Sequence, residues 1–217
     1  DLNVHWGAAV NPDLLVDDPA YAKALAGNFT VFTPENVLKF ELVHPKPGVY
    51  DFTEGDRLAD FARANGMKMR GHVLVWHVQL PDWVKNGKFT RDELIAIMRD
   101  HIFTVLGHYR EKYPDVFIQW DVVNEAFMGN GVRRKSIWQE VIGDDYIELA
   151  FKFAHEAWPE MQLFYNDFEE MGGVLGFDIA ALVANPQGAD FGPGPGATVG
   201  YSNCDQIPKC LAIKTLA

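Results

Sequence analysis

The sequence predicts an α/β fold of the TIM-type (β/α)8 barrel class, in which about five βα units are recognisable. Short apolar segments alternate with longer amphipathic ones through the first three quarters of the chain. This alternation is typical of a parallel sheet covered by helices. Polar residues also cluster where the predicted strands end, which is where barrels of this class carry their functional groups.

Five apolar segments are predicted to be strands, and they cover residues 4–10, 29–33, 68–76, 117–123 and 162–165. Helices are predicted over residues 18–26, 54–65, 91–112 and 145–157, because apolar side chains recur there at helical spacing. The clearest is 91–112, where Thr90 and Glu93 form the pattern of a capping box at the start. Residues 172–184 are one further candidate helix.

The predicted barrel is incomplete. A whole barrel has eight strands and about 250 residues, and we find no strand pattern after residue 165. We expect residues 1–184 to form the barrel portion and 185–217, rich in Gly and Pro, to form a tail with a cysteine pair. Open sheet edges favour association, so we expect a homo-oligomer that covers them.

Composition and charge argue against several classes of partner. Nineteen Lys and Arg against 30 Asp and Glu give a formal net charge of −11, which is unfavourable for nucleic acid. No apolar segment approaches the roughly 20 residues of a membrane span. Cys204 and Cys210 either stay free or pair across a short loop in an oxidising compartment. Neither has neighbours at zinc-finger spacing, and we expect no metal or cofactor.

The segment WDVVNEAF, residues 120–127, carries the strongest chemical signal. A carboxylate directly after an Asn, at the end of an apolar parallel strand, is typical of the proton donor of retaining glycosidases. The glycosidic bond breaks when its leaving oxygen receives a proton, so such a site needs a protonated carboxyl group. Glu125 stands at the end of an apolar strand between aromatic residues, where it can serve as that group. Asn124 beside it can hydrogen-bond the 2-hydroxyl of the sugar. An isolated Glu would more simply be a surface carboxylate, and the octet as a whole favours the catalytic interpretation.

Four segments, in this order, resemble successive signatures of glycoside hydrolase family 10: TPENVLKF (33–40), RGHVLVWHVQLPDWV (70–84), WDVVNEAF (120–127) and LFYNDF (163–168). The resemblance covers residues 1 to about 170. It implies an endo-β-1,4-xylanase that acts on xylan or xylo-oligosaccharides with retention, without a cofactor or metal. We also expect the protein to be secreted.

The resemblance implies a role for each matching residue. Glu125 matches the general acid/base, and Asn124 matches the residue that binds the 2-hydroxyl beside the scissile bond. The other matches are predicted to bind substrate, and they are Glu35, Asn36, Lys39, His72, Trp76, Gln79, Tyr165 and Asn166. Simpler interpretations stay open for two of them, since Lys39 could be an exposed lysine and Trp76 a core residue.

Neighbouring polar and aromatic residues are predicted to have structural roles. Residues 72 and 77 are spaced by five, which on a strand places them on opposite faces and argues against a metal pair. We expect His77 to be a hydrogen-bonded histidine in the core or behind the site. Trp83 is predicted to pack, Asp121 to organise the strand end, and Asp167 to be structural.

The sequence departs from the family pattern after residue 170. The family nucleophile is a Glu in a Thr-Glu-hydrophobic-Asp segment, preceded by Gln-x-His and followed by Trp-Gly, and we find none of these. Glu169 and Glu170 do not match and are interpreted as solvated acids. We expect a family member that is truncated or internally deleted after about residue 170, or else a sequence that omits segments of a longer chain. Three interpretations stay open: a hydrolase whose nucleophile is unrecognised or on a partner chain, a non-catalytic xylan-binding remnant, and an inactive fragment.

Overall fold

The structure is a computed structural model, and it describes residues 5–128 and 131–167. Within them, five strands form one sheet in the order β1-β2-β3-β4-β5. The strands are β1 (Gly7–Val10), β2 (Val31–Pro34), β3 (Lys68–Val75), β4 (Phe117–Asn124) and β5 (Gln162–Asn166). Every neighbouring pair is parallel. Consecutive parallel strands joined by helices are the wall of a barrel, so the predicted fold class is confirmed as a partial barrel.

Helices connect the strands and cover the sheet. They are α1 (Pro12–Asp17), α2 (Pro19–Asn28), α3 (Phe40–Val43), α4 (Thr53–Ala64), α5 (Asp82–Lys85), α6 (Arg91–Lys112) and α7 (Tyr146–Ala157). A short π-helix, Trp138–Ile142, precedes α7. Within the described ranges, no helix is long and apolar enough to cross a membrane.

The helix predicted over 18–26 is found as α2, Pro19–Asn28, and a further short helix, α1, precedes it. Each of the two helices starts at a cap followed by proline. The Asn11 side chain accepts from the Asp13 N–H at 2.9 Å, and the Asp18 side chain accepts from the Ala20 N–H at 2.8 Å. Such caps satisfy N–H groups that have no partner in the first helical turn.

The other predicted elements are found with boundaries shifted by a few residues at most. The second strand begins at Val31 instead of residue 29, because Phe29 caps α2 through its N–H to the Leu25 carbonyl at 3.1 Å. Helices α1, α3 and α5 and the π-helix span four to six residues, too few to produce a periodic pattern. Residue 4, the candidate helix at 172–184 and the tail at 185–217 with its cysteines lie outside the described residues.

Helix α6 occupies residues 91–112 as predicted. The Glu93 N–H donates to Thr90 Oγ1 at 3.3 Å, and the Thr90 N–H donates to Glu93 Oε2 at 2.8 Å, so the capping box is confirmed. One face of the helix is buried through Leu94, Met98, Ile102, Val105 and Leu106. Helix α6 packs against β3, α7 and the π-helix.

The core lies between the sheet and its helices, and a large aromatic residue fills its centre. Trp120 on β4 is fully buried. Gly71 on β3 allows this close packing, because a Cβ at that position would overlap the Trp120 indole. Strands β3 and β4 therefore pack closely at the Gly71–Trp120 pair, a few residues before the strand ends that carry the polar residues.

Candidate active site

The predicted site residues from β2, β3 and their following loops form one connected cluster. The Lys39 ammonium donates to Asn36 Oδ1 at 3.1 Å and lies 4.7 Å from the centre of a Trp76 ring. Gln79 Nε2 donates to the same Asn36 oxygen at 3.2 Å. Glu35 is held at the end of β2 by its N–H, which donates to the Val10 carbonyl at 3.0 Å.

Lys39 is not the exposed lysine of the simpler interpretation, since only 8% of it is accessible. Burial lowers the pKa of Lys39 below its ordinary value, and the charges of Glu125 and Glu35 partly offset that effect. Both carboxylates therefore act electrostatically on the Lys39 ammonium. This places residues from β2 and β4 at one end of the sheet, as the strand-end pattern predicted.

Trp76 holds the carboxylate of Glu125. The Trp76 Nε1–H donates to Glu125 Oε2 at 2.9 Å, and Trp138 Nε1 donates to the Trp76 carbonyl at 2.8 Å. Trp76 is therefore tied to the site at both its side chain and its backbone, beyond the simple core role that stayed open. The pocket around Glu125 is lined by Val75, Trp76, His77, Asn124, Arg134, Ser136, Trp138 and Tyr146.

His77 faces the same carboxylate without bonding to it. Its Nε2 lies 4.0 Å from Glu125 Oε2, which is too far for a hydrogen bond. Burial, followed by the charge of Arg134, lowers the pKa of His77 to about 4, and the charge of Asp167 partly opposes this. Nδ1 is buried without a hydrogen-bond partner among the described residues. The prediction of a hydrogen bond at His77 is therefore wrong, whereas its predicted place behind the site is confirmed, since His77 lines the pocket around Glu125.

The chain turns sharply at Glu125. Its φ is 53°, in the left-handed region, which costs a residue with a side chain about 1–2 kcal/mol. Strand β5 supports the turn, since the Glu125 N–H donates to the Asn166 carbonyl at 2.9 Å. The Ala126 N–H donates to the Tyr165 hydroxyl at 3.0 Å. The corner turns the Glu125 side chain out of the strand and towards Trp76.

The two predicted site residues of β5 meet β4 differently. Asn166 Nδ2 donates to Asn124 Oδ1 at 2.9 Å and so orients the buried Asn124 amide. Tyr165 is buried, and its hydroxyl donates to the Asp167 carboxylate while it accepts from the Ala126 N–H. Burial, followed by the charge of Asp167, raises the pKa of Tyr165. Both β5 residues therefore support the strand that carries Glu125.

Asp121 organises the adjacent part of the site, as predicted. It is 2% exposed and accepts from His72 Nδ1 at 2.9 Å and from Arg70 Nε at 3.0 Å. Burial alone would raise the pKa of Asp121, but the hydrogen bond from His72 and the charge of Arg70 outweigh it and lower that pKa. Asp121 thereby fixes the His72 ring, whose residue is joined to Val73 by a cis peptide bond.

Sequence reasoning missed Arg134, Ser136, Trp138 and Tyr146, all of which line the pocket. They lie in and after the loop that follows β4, where no strand end marks them. The position of Trp138 could have been suspected from its residue type alone, whereas Arg134 stands in an unremarkable basic stretch. As predicted, Trp83 packs against the core. Within residues 5–128 and 131–167, no group of His, Cys, Asp and Glu is arranged to hold a metal ion.

The chain matches the sequence model of glycosyl hydrolase family 10 over residues 2–176. It belongs to this family. A β-1,4-xylanase from Dictyoglomus thermophilum is 48% identical over 150 residues, which are 68% of this chain and 41% of the relative. The endo-1,4-β-xylanase A of Thermoanaerobacterium saccharolyticum is 44% identical over 177 residues, 77% of this chain and 15% of the relative.

Solved structures of family members superpose on the partial barrel. An intracellular xylanase from Thermoanaerobacterium saccharolyticum, in complex with xylotetraose, gives a TM-score of 0.73 at 44% identity, covering 76% of this chain and 53% of that one. A xylanase from Thermotoga petrophila with xylobiose gives 0.75 at 33% identity, covering 92% and 60%. The chain spans less than half the length of the curated relatives it matches. Secretion stays a prediction.

Proposed function

We propose that the protein hydrolyses β-1,4-xylan as a retaining endo-xylanase, with Glu125 as the general acid/base. The observation that carries the proposal is the Glu125 carboxylate at the end of β4, hydrogen-bonded by Trp76 in a pocket of a family 10 chain. A neutral polysaccharide suits this acidic chain, since its binding needs no excess of Lys and Arg. The similarity to proteins named xylanases supports xylan as the substrate.

In this proposal the residues around Glu125 divide the work of binding. Glu125 would protonate the leaving oxygen, and Asn124, oriented by Asn166, would bind the 2-hydroxyl of the sugar that is cleaved. His72 and Trp76 would frame that sugar. The non-reducing side would be held by Glu35, Asn36, Lys39 and Gln79, and the leaving-group side by Asn166. The buried Tyr165 would act on that side through its bond to the Ala126 N–H. The bonds among Asn36, Lys39 and Gln79 support a preorganised polar surface for the first of these sets.

Retention also needs a carboxylate nucleophile about 5–5.5 Å from the acid/base. Among the described residues that line the pocket, Glu125 is the only carboxylate. In a retaining hydrolase, the nucleophile would therefore come from outside the described residues or from a partner chain, as in a homo-oligomer. The same observation favours a second candidate function, in which the chain binds xylo-oligosaccharides and does not turn them over.

Two measurements on the purified chain separate these candidates. Release of reducing sugar from xylan is compared among the unmodified chain, Glu125→Gln, and the exposed control Glu41→Gln. Hydrolysis with Glu125 as acid/base predicts activity that is lost in Glu125→Gln and kept in Glu41→Gln. Activity that survives Glu125→Gln would refute the assignment of this residue.

Calorimetric titration with xylotetraose completes the test. Binding without sugar release would favour the non-catalytic candidate, and the Lys39→Met variant should then bind more weakly because it loses the bond to Asn36. Failure both to bind and to hydrolyse would refute both candidates for this chain. If sugar is released, Glu169→Gln and Glu170→Gln are the next variants to assay for the missing nucleophile.

A further inference from the structure

The loop after β4 folds back onto the Glu125 corner. Phe127 and Arg133 form an isolated antiparallel bridge, and the Met128 N–H donates to the Val132 carbonyl at 2.9 Å. The Arg134 N–H then donates to the Ala126 carbonyl at 2.8 Å. This return brings Arg134, nine residues after Glu125, against the corner formed by residues 125–127.

The Arg134 guanidinium bonds two backbone carbonyls of that corner. Its Nε donates to the Glu125 carbonyl at 3.0 Å and its Nη2 donates to the Phe127 carbonyl at 3.2 Å. A planar guanidinium presents donors in a fixed fork, so two such bonds set both the distance and the relative orientation of the acceptors. An ammonium on a flexible stem cannot reproduce that fork.

Arg134 and β5 together hold the corner from opposite sides. On the β5 side, the Asn166 carbonyl accepts from the Glu125 N–H, and the Tyr165 hydroxyl accepts from the Ala126 N–H. The Arg134 side chain donates to the carbonyls of Glu125 and Phe127, and its backbone N–H donates to the carbonyl of Ala126. Because Glu125 has φ 53°, the corner relaxes towards an ordinary conformation unless these bonds resist it.

We propose that Arg134 is a positioning residue, which keeps Glu125 in its left-handed conformation and so holds its carboxylate against the Trp76 indole. The inference rests on the proposed function, in which Glu125 is the proton donor, but its geometry is testable without turnover. Within the described parts of the chain, no carboxylate lies within ion-pair distance of Arg134, so its contacts are with the corner. Its charge also reaches His77, on the pocket side.

The test follows the Trp76 indole by NMR of the ¹⁵N-labelled chain. Trp76→Phe identifies the Trp76 Nε1–H peak among those of six tryptophans. Glu125→Ala removes the acceptor and gives the peak position for a broken bond. The expected result is that Arg134→Gln moves the Trp76 peak at least half of the way to that position.

Lys135→Gln is the matched control, because it removes a positive charge from the next, exposed residue. Its Trp76 peak should coincide with that of the unmodified chain. A wild-type peak position in Arg134→Gln, or equal shifts in Arg134→Gln and Lys135→Gln, would overturn the proposal.

Arg134→Lys keeps the test decisive if Arg134→Gln does not fold. Lysine can bond one of the two carbonyls, so the Trp76 peak should move part of the way while the other indole peaks stay in place. A peak identical to that of the unmodified chain would overturn the role of the guanidinium. None of these readouts depends on sugar release. The protein could be inactive on xylan while Arg134→Gln still displaces the Trp76 peak. That result would refute the proposed function and support the positioning role of Arg134.

Discussion

Two buried histidines should make this protein lose stability as the pH falls below neutral. His44 is 2% exposed and His101 is fully buried, and neither ring nitrogen of either residue has a hydrogen-bond partner among the described residues. Their rings lie in an aromatic stack, with His101 3.8 Å from Phe40 and His44 4.0 Å from Tyr50 between ring centres. A proton on either ring would therefore be a buried charge without a hydrogen-bonded partner.

The size of the effect follows from the two pKa values. Burial lowers the pKa of His44 from 6.5 to about 4, partly offset by the charge of Asp100. Unfolded His44 binds a proton as the pH falls through 6.5, whereas the folded form does not until about 4, so stability falls across that window. Between pH 7 and 5 the loss is about 2 kcal/mol. Burial and then the charge of His44 lower the pKa of His101 well below its ordinary value, so protonation of unfolded His101 adds a further loss of stability of similar size.

Urea unfolding followed by circular dichroism at pH 7, 6 and 5 measures this loss. The double variant His44→Phe/His101→Phe keeps rings in the stack and should reduce the pH-dependent loss by about 4 kcal/mol. His77, whose pKa is also lowered to about 4, continues to contribute about 2 kcal/mol in both proteins. The exposed control His155→Phe should leave the pH dependence unchanged. An equal loss in the double variant and the unmodified protein would refute the reasoning.

Two further substitutions test the packing beneath the site by urea unfolding at pH 7. Asp121→Asn removes the buried carboxylate that pairs with Arg70 and His72, and it should cost about 3 kcal/mol, since the partly buried Arg70 guanidinium loses its charged partner. Gly71→Ala places a methyl group against the buried Trp120 indole and should cost about 2 kcal/mol by overpacking.

Each of these substitutions has a control of the same chemistry. Asp17→Asn changes an exposed carboxylate and should alter the free energy of unfolding by less than about 0.5 kcal/mol. Gly107→Ala lies within α6 with open space around its Cβ, and it should stabilise by about 0.5–1 kcal/mol. A cost at Gly107 equal to that at Gly71, or at Asp17 equal to that at Asp121, would contradict the packing argument.

The sequence was informative wherever the determining interactions are local. The alternation of short apolar and long amphipathic segments predicted the five strands found within the described residues, because apolar residues dominate each of these segments. Helix α6 was predicted to the residue, since its buried face and its Thr90–Glu93 cap both lie within the helix. The motifs also located Glu125 at the end of β4 and Trp76 just beyond β3, because motif and strand end coincide there.

Contacts between distant parts of the chain were decided by the tertiary structure alone. Trp138 reaches the Trp76 carbonyl across 62 residues. His44 and His101 stack because α3 and α6 meet, and nothing in the local pattern of either segment indicates a buried pair. The Glu125 corner depends on Asn166 and Arg134, which come from a neighbouring strand and a returning loop. Local periodicity determines which elements form. Register between strands and the path of loops determine which side chains meet, and these depend on the packing of the whole sheet.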